Sequence, residues 1–201
     1  MDRTRREETQ ARPVSTPQER KQGDGVESST YPMWLLSYYR EAEVRSADLL
    51  QRLLRQTDNP EWQIYLTRQL VDEARHIQLW TELMSELGES LAAPKRGYRH
   101  YLQKYVGTPS NLLDSLALIC AVEEQIQQRY RDHLPQAGQE PRIAAALQIL
   151  AADEEWHVQG VRNWLTKVEK QGGRTRVAAA LDYYRALEAL AYDDLIGERV
   201  A

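Results

Sequence analysis

The sequence predicts an all-α protein: a four-helix bundle with a long connection between its second and third helices and an extra helix at the C-terminus. Three observations carry this. Apolar residues recur every three or four positions over long stretches. Strand-like alternation is absent and β-branched residues are sparse. Proline, glycine and Asn-Pro punctuation cuts the chain into helix-length segments.

Residues 1–30 read as a disordered polar tail and residues 31–201 as one helical domain. The tail has almost no large apolar side chain, and its six basic and six acidic residues balance. Such a segment cannot bury enough surface to offset its ordering entropy. A first helix is predicted from Met33 to Gln56, closed by Asp58-Asn59-Pro60. Asn59 then caps a second helix with Pro60 at its first position. That helix carries Leu66, Leu70, Ile77, Trp80 and Met84 on one stripe and ends near Gly88. Residues 89–107 connect it to the next, with a short helix in YRHYLQKYV. Thr108-Pro109 opens a third helix that lasts to Leu134-Pro135, and a loop around Gly138 leads to a fourth, Pro141 to Lys170. After Gly172-Gly173, the run VAAALDYYRALEALAYDDLI forms the fifth.

Composition narrows the function classes. With 42% hydrophobic and 28% charged residues, a 201-residue chain is suited to a single globular core. A net charge of −4 offers no general attraction to nucleic acid or anionic lipid. No apolar run approaches the roughly 20 residues that span a bilayer. The N-terminus lacks the apolar core of a signal peptide and is too acidic for a transit peptide. The single cysteine, Cys120, excludes an internal disulfide and any Cys-x-x-Cys zinc, iron–sulfur or rubredoxin-type site. A cytoplasmic setting is therefore expected.

The informative residues are polar groups inside apolar stripes. Counting by three and four along the second helix gives Leu66, Leu70, Glu73, His76, Trp80 and Leu83. The fourth helix repeats the pattern with Leu147, Leu150, Glu154, His157, Val161 and Trp164. On the first helix Glu43 sits among Leu36, Tyr39, Ala47 and Leu50. Its neighbour Glu41 falls with Ser37, Tyr38, Arg45 and Asp48, on a face expected to meet solvent. The third helix aligns Leu112, Leu116, Ile119, Glu123, Ile126 and Tyr130. A buried carboxylate costs several kcal/mol unless it is paired or bound to metal. A Glu and a His three positions apart on a helix reach one common point, so each Glu-x-x-His is a two-ligand metal claw. Four glutamates and two histidines form the ligand set of a two-metal carboxylate site in a bundle core. Without thiolate, that set suits iron or manganese and also zinc.

An internal repeat adds support. Asp72, Glu73 and His76 recur 81 residues on as Asp153, Glu154 and His157. The same offset carries Glu43 to Glu124 rather than Glu123. Helical phase favours Glu123, and Glu124 is kept as the substitute ligand or an acid behind it. A salt bridge from Glu43 to Arg75 is the plain structural alternative. His100 and His133 fall outside the pattern. Cys120, one turn before Glu123, is placed to line the pocket or to serve as a small buried hydrophobe. Five tryptophans, including Trp34 and Trp62, fit either a helix-face homodimer or core packing.

This constellation resembles the ferritin-like di-iron carboxylate superfamily over residues 33–170. "DEARH" at 72–76 is similar to the Asp-Glu-x-Arg-His motif of its oxygen-activating hydroxylases, and the helix layout is similar to rubrerythrins, though rubredoxin cysteines are missing. "DEEWH" at 153–157 departs from the motif, with Trp156 in place of the arginine. The resemblance implies two iron ions, or a mixed manganese–iron pair, held by Glu43, Glu73, His76, Glu123 (or Glu124), Glu154 and His157. Asp72, Arg75 and Asp153 would support the histidines, and Tyr39 and Tyr130 would relay electrons or donate hydrogen bonds. It further implies O2, a small-molecule substrate and an electron donor or reductase as partners. The activity expected is oxidation or hydroxylation of that substrate. Ferroxidase, iron-handling or peroxide-reducing activity is the alternative, and a metal-free helical interaction protein the third.

Overall fold

The computed structural model describes residues 31–200. The polar tail read at residues 1–30 lies outside the described residues, as does Ala201. Helices run as α1 (Trp34–Leu54), α2 (Pro60–Glu86), α3 (Tyr98–Val106), α4 (Leu112–His133), α5 (Pro141–Val168) and α6 (Arg174–Val200), and no strand occurs among the described residues. α1 pairs with α2 and α4 with α5, the two hairpins meet through α1–α4 and α2–α5 contacts, and α3 and α6 pack together across the outside of α1 and α4. This is a ferritin-like helical bundle with the long connection and the extra helix where the punctuation places them.

Local chemistry explains most boundaries. Asn59 caps α2 by accepting from the Trp62 amide at 3.1 Å, with Pro60 at the first helical position. Such a cap contributes about 1 kcal/mol. α4 starts later than Thr108-Pro109 because Asn111 is its cap, accepting from the Asp114 amide at 3.0 Å. The loop around Gly138 is a short 3₁₀ helix, Leu134–Gln139. α5 yields after Val168 to a wide turn, in which Gly172 takes a φ of 90° that only glycine adopts freely. α6 then begins at Arg174, three residues before the predicted fifth helix.

One expectation fails outright. The Glu41 face of α1 is covered: Tyr38, Glu41 and Arg45 are buried. Its cover includes α3, whose N-cap residue is Gly97. A Cβ at that glycine would run into the Glu41 carboxylate. Burial raises the Glu41 pKa, while the Tyr98 and Arg99 amides of the first turn of α3 pull it down. The carboxylate thus serves the positive end of a short helix.

α6 is held by a buried polar cluster. Arg129 of α4 makes two hydrogen bonds to Glu188 of α6, 2.5 Å from Nη1 to Oε1 and 2.9 Å from Nη2 to Oε2. The Tyr98 hydroxyl donates to Glu188 at 2.9 Å, and Arg129 also donates to the Tyr38 hydroxyl at 2.7 Å. Four helices meet at these four side chains.

Candidate metal centre

Glu43 on α1, Glu73 and His76 on α2, Glu123 on α4, and Glu154 and His157 on α5 are at most 2% exposed. Their donor atoms converge into two groups that share Glu73: Glu43, Glu73, His76 and Glu154, and then Glu73, Glu123 and His157. Within each group the atoms lie within 4.8 Å of one another. The convergence follows from helical phase, since residues three apart on α2 and on α5 turn the same way.

Each imidazole has two distinct sides. Nδ1 of His76 faces Glu154 at 3.3 Å, Glu43 at 3.4 Å and Glu73 at 3.7 Å. Nδ1 of His157 faces Glu154 at 2.9 Å and Glu73 at 3.3 Å. The outer nitrogens are served crosswise: Asp153 of α5 lies 3.4 Å from His76 Nε2, and Asp72 of α2 lies 3.7 Å from His157 Nε2. The aspartate of each Asp-Glu-x-x-His repeat therefore lies beside the histidine of the other helix, and only Asp153 makes the hydrogen bond. Arg75 pairs with Asp72 at 2.9 Å, and Glu43 does not depend on it.

The electrostatics of the cluster call for cations. Burial, reinforced by neighbouring carboxylates, pushes Glu73 and Glu123 well above the usual carboxylate range. Burial also raises Glu154. Glu43 moves the other way despite its burial, because His76 and the Tyr130 hydroxyl stabilise its charge. Burial would lower His76, but the Glu43 and Glu154 carboxylates overcome it and push it up to about 11. His157 is lowered by burial. Four carboxyls buried together thus require compensating positive charge. Glu73 Oε2, Glu123 Oε2 and Glu154 Oε1 nevertheless have no hydrogen-bond partner. Buried polar atoms left unpartnered are costly. Hard or borderline divalent ions held by these four carboxylates and two imidazoles would resolve both problems together. The residues fit a pair of metal ions.

The two adjacent acids of α4 separate cleanly. Glu123 enters the cluster, whereas Glu124 ion-pairs with Arg162 at 2.8 Å and Arg185 at 2.8 Å. The Cys120 thiol lies 3.3 Å from Glu124, and burial raises its pKa to about 12. Tyr130 donates to Glu43 and accepts from the Trp80 indole at 3.2 Å. Tyr39 stacks on Trp80 with ring centroids 5.0 Å apart, and its hydroxyl meets the His133 ring nitrogen. His133, set aside by the helical count, therefore ends an aromatic chain that begins at Glu43.

Gln69 and Tyr65 were not singled out by the stripe. Gln69 is fully buried, and its Nε2 donates to Glu123 at 3.2 Å and Glu73 at 3.3 Å while its Oε1 has no partner. The signal was its position one turn before Glu73, beside Leu66 and Leu70. Tyr65 donates to the His157 carbonyl at 2.8 Å. Trp156, which takes the arginine's place, packs against the His157 ring at 4.5 Å and receives Arg68 over its face at 4.7 Å.

A comparison with protein families matches residues 38–196 to the family described as P-aminobenzoate N-oxygenase AurF. No curated protein and no solved structure matches the chain.

Proposed function

The chain belongs to the P-aminobenzoate N-oxygenase AurF family, and from that membership we propose that it is a di-iron oxidoreductase that uses O2 to oxidise a small organic substrate, with an aromatic amine the leading class. The observation that carries the reading is the buried cluster of four carboxyls and two imidazoles inside the matched region. Glu43, Glu73, His76, Glu123, Glu154 and His157 would hold the two ions, and a mixed manganese–iron pair suits the same donors. Bound there, the metal pair would supply the redox chemistry that activates O2.

Insertion of one oxygen atom into an N–H bond consumes O2, two electrons and two protons and returns one water. An external electron donor is therefore part of the reaction. Asp153, hydrogen-bonded to the outer nitrogen of His76, would hold the tautomer that turns its Nδ1 inward, while Asp72 stands 3.7 Å from the outer nitrogen of His157. Leu36, Ile119, Ile126 and Leu150 are fully buried and keep bulk water away. Tyr130 holds a proton at Glu43 Oε1. The Trp80–Tyr39–His133 chain behind it is placed to carry electrons toward the protein surface.

Family membership favours organic oxidation over iron storage or peroxide removal. The test is iron content after anaerobic ferrous reconstitution, paired with O2 consumption in the presence of an arylamine and a chemical reductant. We expect about two irons per chain, lost together with turnover in Glu73→Ala and His157→Ala. Retention of both iron and activity in those variants would refute the proposal.

A further inference from the structure

The groove between α2 and α5, lined by Glu61, Tyr65, Gly160, Asn163, Trp164 and Lys167, has one wall bonded to the backbone of His157. That wall is Tyr65. Its hydroxyl donates to the carbonyl of His157. Tyr65 stands one turn before Gln69, whose unpartnered Oε1 is buried beside Glu73 and Glu123. In chain order along α2, the groove, the tyrosine ring, the amide and the acids follow one another.

The opposite helix is shaped to receive this ring. Gly160 is a mid-helix glycine, which is disfavoured in α5 unless something requires it. The requirement is steric: a Cβ at 160 would collide with the Cε2, Cζ and hydroxyl of Tyr65. One turn earlier, Trp156 meets the ring edge-on, with centroids 5.6 Å apart. The tyrosine is seated in a slot between Trp156 and Gly160 and fastened by a single hydrogen bond. Core tyrosines elsewhere in this bundle, such as Tyr39 and Tyr130, are fully buried. Tyr65 is only half-buried and faces the groove.

We infer that the α2–α5 groove is the route by which a flat aromatic substrate reaches the metal pair, and that Tyr65 is its gate. This rests on the di-iron reading above. Trp164 and the Tyr65 ring offer aromatic faces to a flat molecule. Lys167, 3.6 Å from the Trp164 ring centre and 3.1 Å from Glu61, places an ammonium at the rim, where an acidic substituent would exchange with Glu61. Swinging the ring out breaks one hydrogen bond and exposes Gln69 and the acids behind it. Gate motions of this kind control access and size selection without altering the groups that do the chemistry.

The test reads access directly. The full chain is loaded anaerobically with ferrous iron, and extraction by the bulky chelator ferrozine is followed by absorbance. Tyr65→Phe removes the fastening hydrogen bond and should speed extraction roughly three- to tenfold. Tyr65→Ala and Gly160→Ala, which remove or unseat the ring, should speed it further. Asn163→Trp, at an exposed position on the groove wall, should slow it severalfold and raise KM for an arylamine with little change in kcat. If Tyr65→Ala fails to fold, Tyr65→Phe and Asn163→Trp decide. Variants that load two irons and release them at the wild-type rate would overturn the gate and leave the metal site standing. A wild-type chain that takes up no iron would overturn both.

Discussion

Glu123 and Glu124 are neighbours on one helix with opposite surroundings, and their contrast is a sharp test at the scale of the residue. Glu123→Ala removes a carboxylate that shares a donor group with Glu73 and His157, so reconstituted iron should fall below two per chain. Glu124→Ala removes a partner from Arg162 and Arg185, which are 54% and 36% exposed and can turn to water. Its cost should be about 1 kcal/mol or less, with iron content unchanged. Metal analysis and thermal unfolding of the two variants check this, and the opposite pattern would restore the assignment favoured by the internal repeat. The preference for Glu123 was legible because a glutamate between Ile119 and Ile126 at helical spacing has nowhere polar to go. Gln69 and Tyr65 were not legible. A glutamine or tyrosine near an apolar stripe signals nothing until the opposing helix shows what its polar end meets.

At the scale of the element, the face of α1 beside the carboxylate cluster shows why a polar pattern misleads. Ser37, Arg45 and Asp48 suggest water, yet α3 packs over this side and Arg45 is buried with two guanidinium nitrogens unpartnered. Helical period reveals which residues share a face, not which later segment returns to cover it. Two predictions belong here. Glu188→Leu leaves Arg129 buried without its carboxylate and should destabilise by about 3–5 kcal/mol. Adding Arg129→Met should recover most of that loss, because an apolar pair of similar volume satisfies the site. Urea unfolding of the single and double variants measures the difference, and additive losses would show that the pair is not the tie between α4 and α6. Gly97→Ala drives a methyl into the Glu41 carboxylate. It should cost about 1–3 kcal/mol and loosen α3, seen as faster amide exchange over Tyr98–Val106. Unchanged exchange there would rule out Glu41 as the anchor of that helix.

At the scale of the whole molecule, the bundle gathers four carboxyls from four helices at its centre, which works against folding unless cations are supplied. The apolar core around them, from Leu36 and Leu50 on α1 to Leu147 and Val161 on α5, must hold the helices in place against that repulsion. Metal ions bound by the folded chain and not by the unfolded one shift the equilibrium by mass action. The gain is about 2.7 kcal/mol for each ion when free iron stands a hundredfold above its dissociation constant, and the first ion alone sets the minimum. For a domain of this size that converts to a rise of about 5–10 °C in thermal midpoint. The ligands come from α1, α2, α4 and α5, so the rise should be shared by the whole transition rather than confined to one segment. Differential scanning calorimetry under anaerobic conditions, with and without ferrous iron, makes the measurement. Glu73 belongs to both donor groups, so Glu73→Ala should remove the iron-dependent rise almost completely. The metal-free variant should itself melt at or above the metal-free parent, because one buried acid has gone. A parent whose midpoint ignores iron would contradict the metal centre at the level of the fold, independently of any assay for substrate.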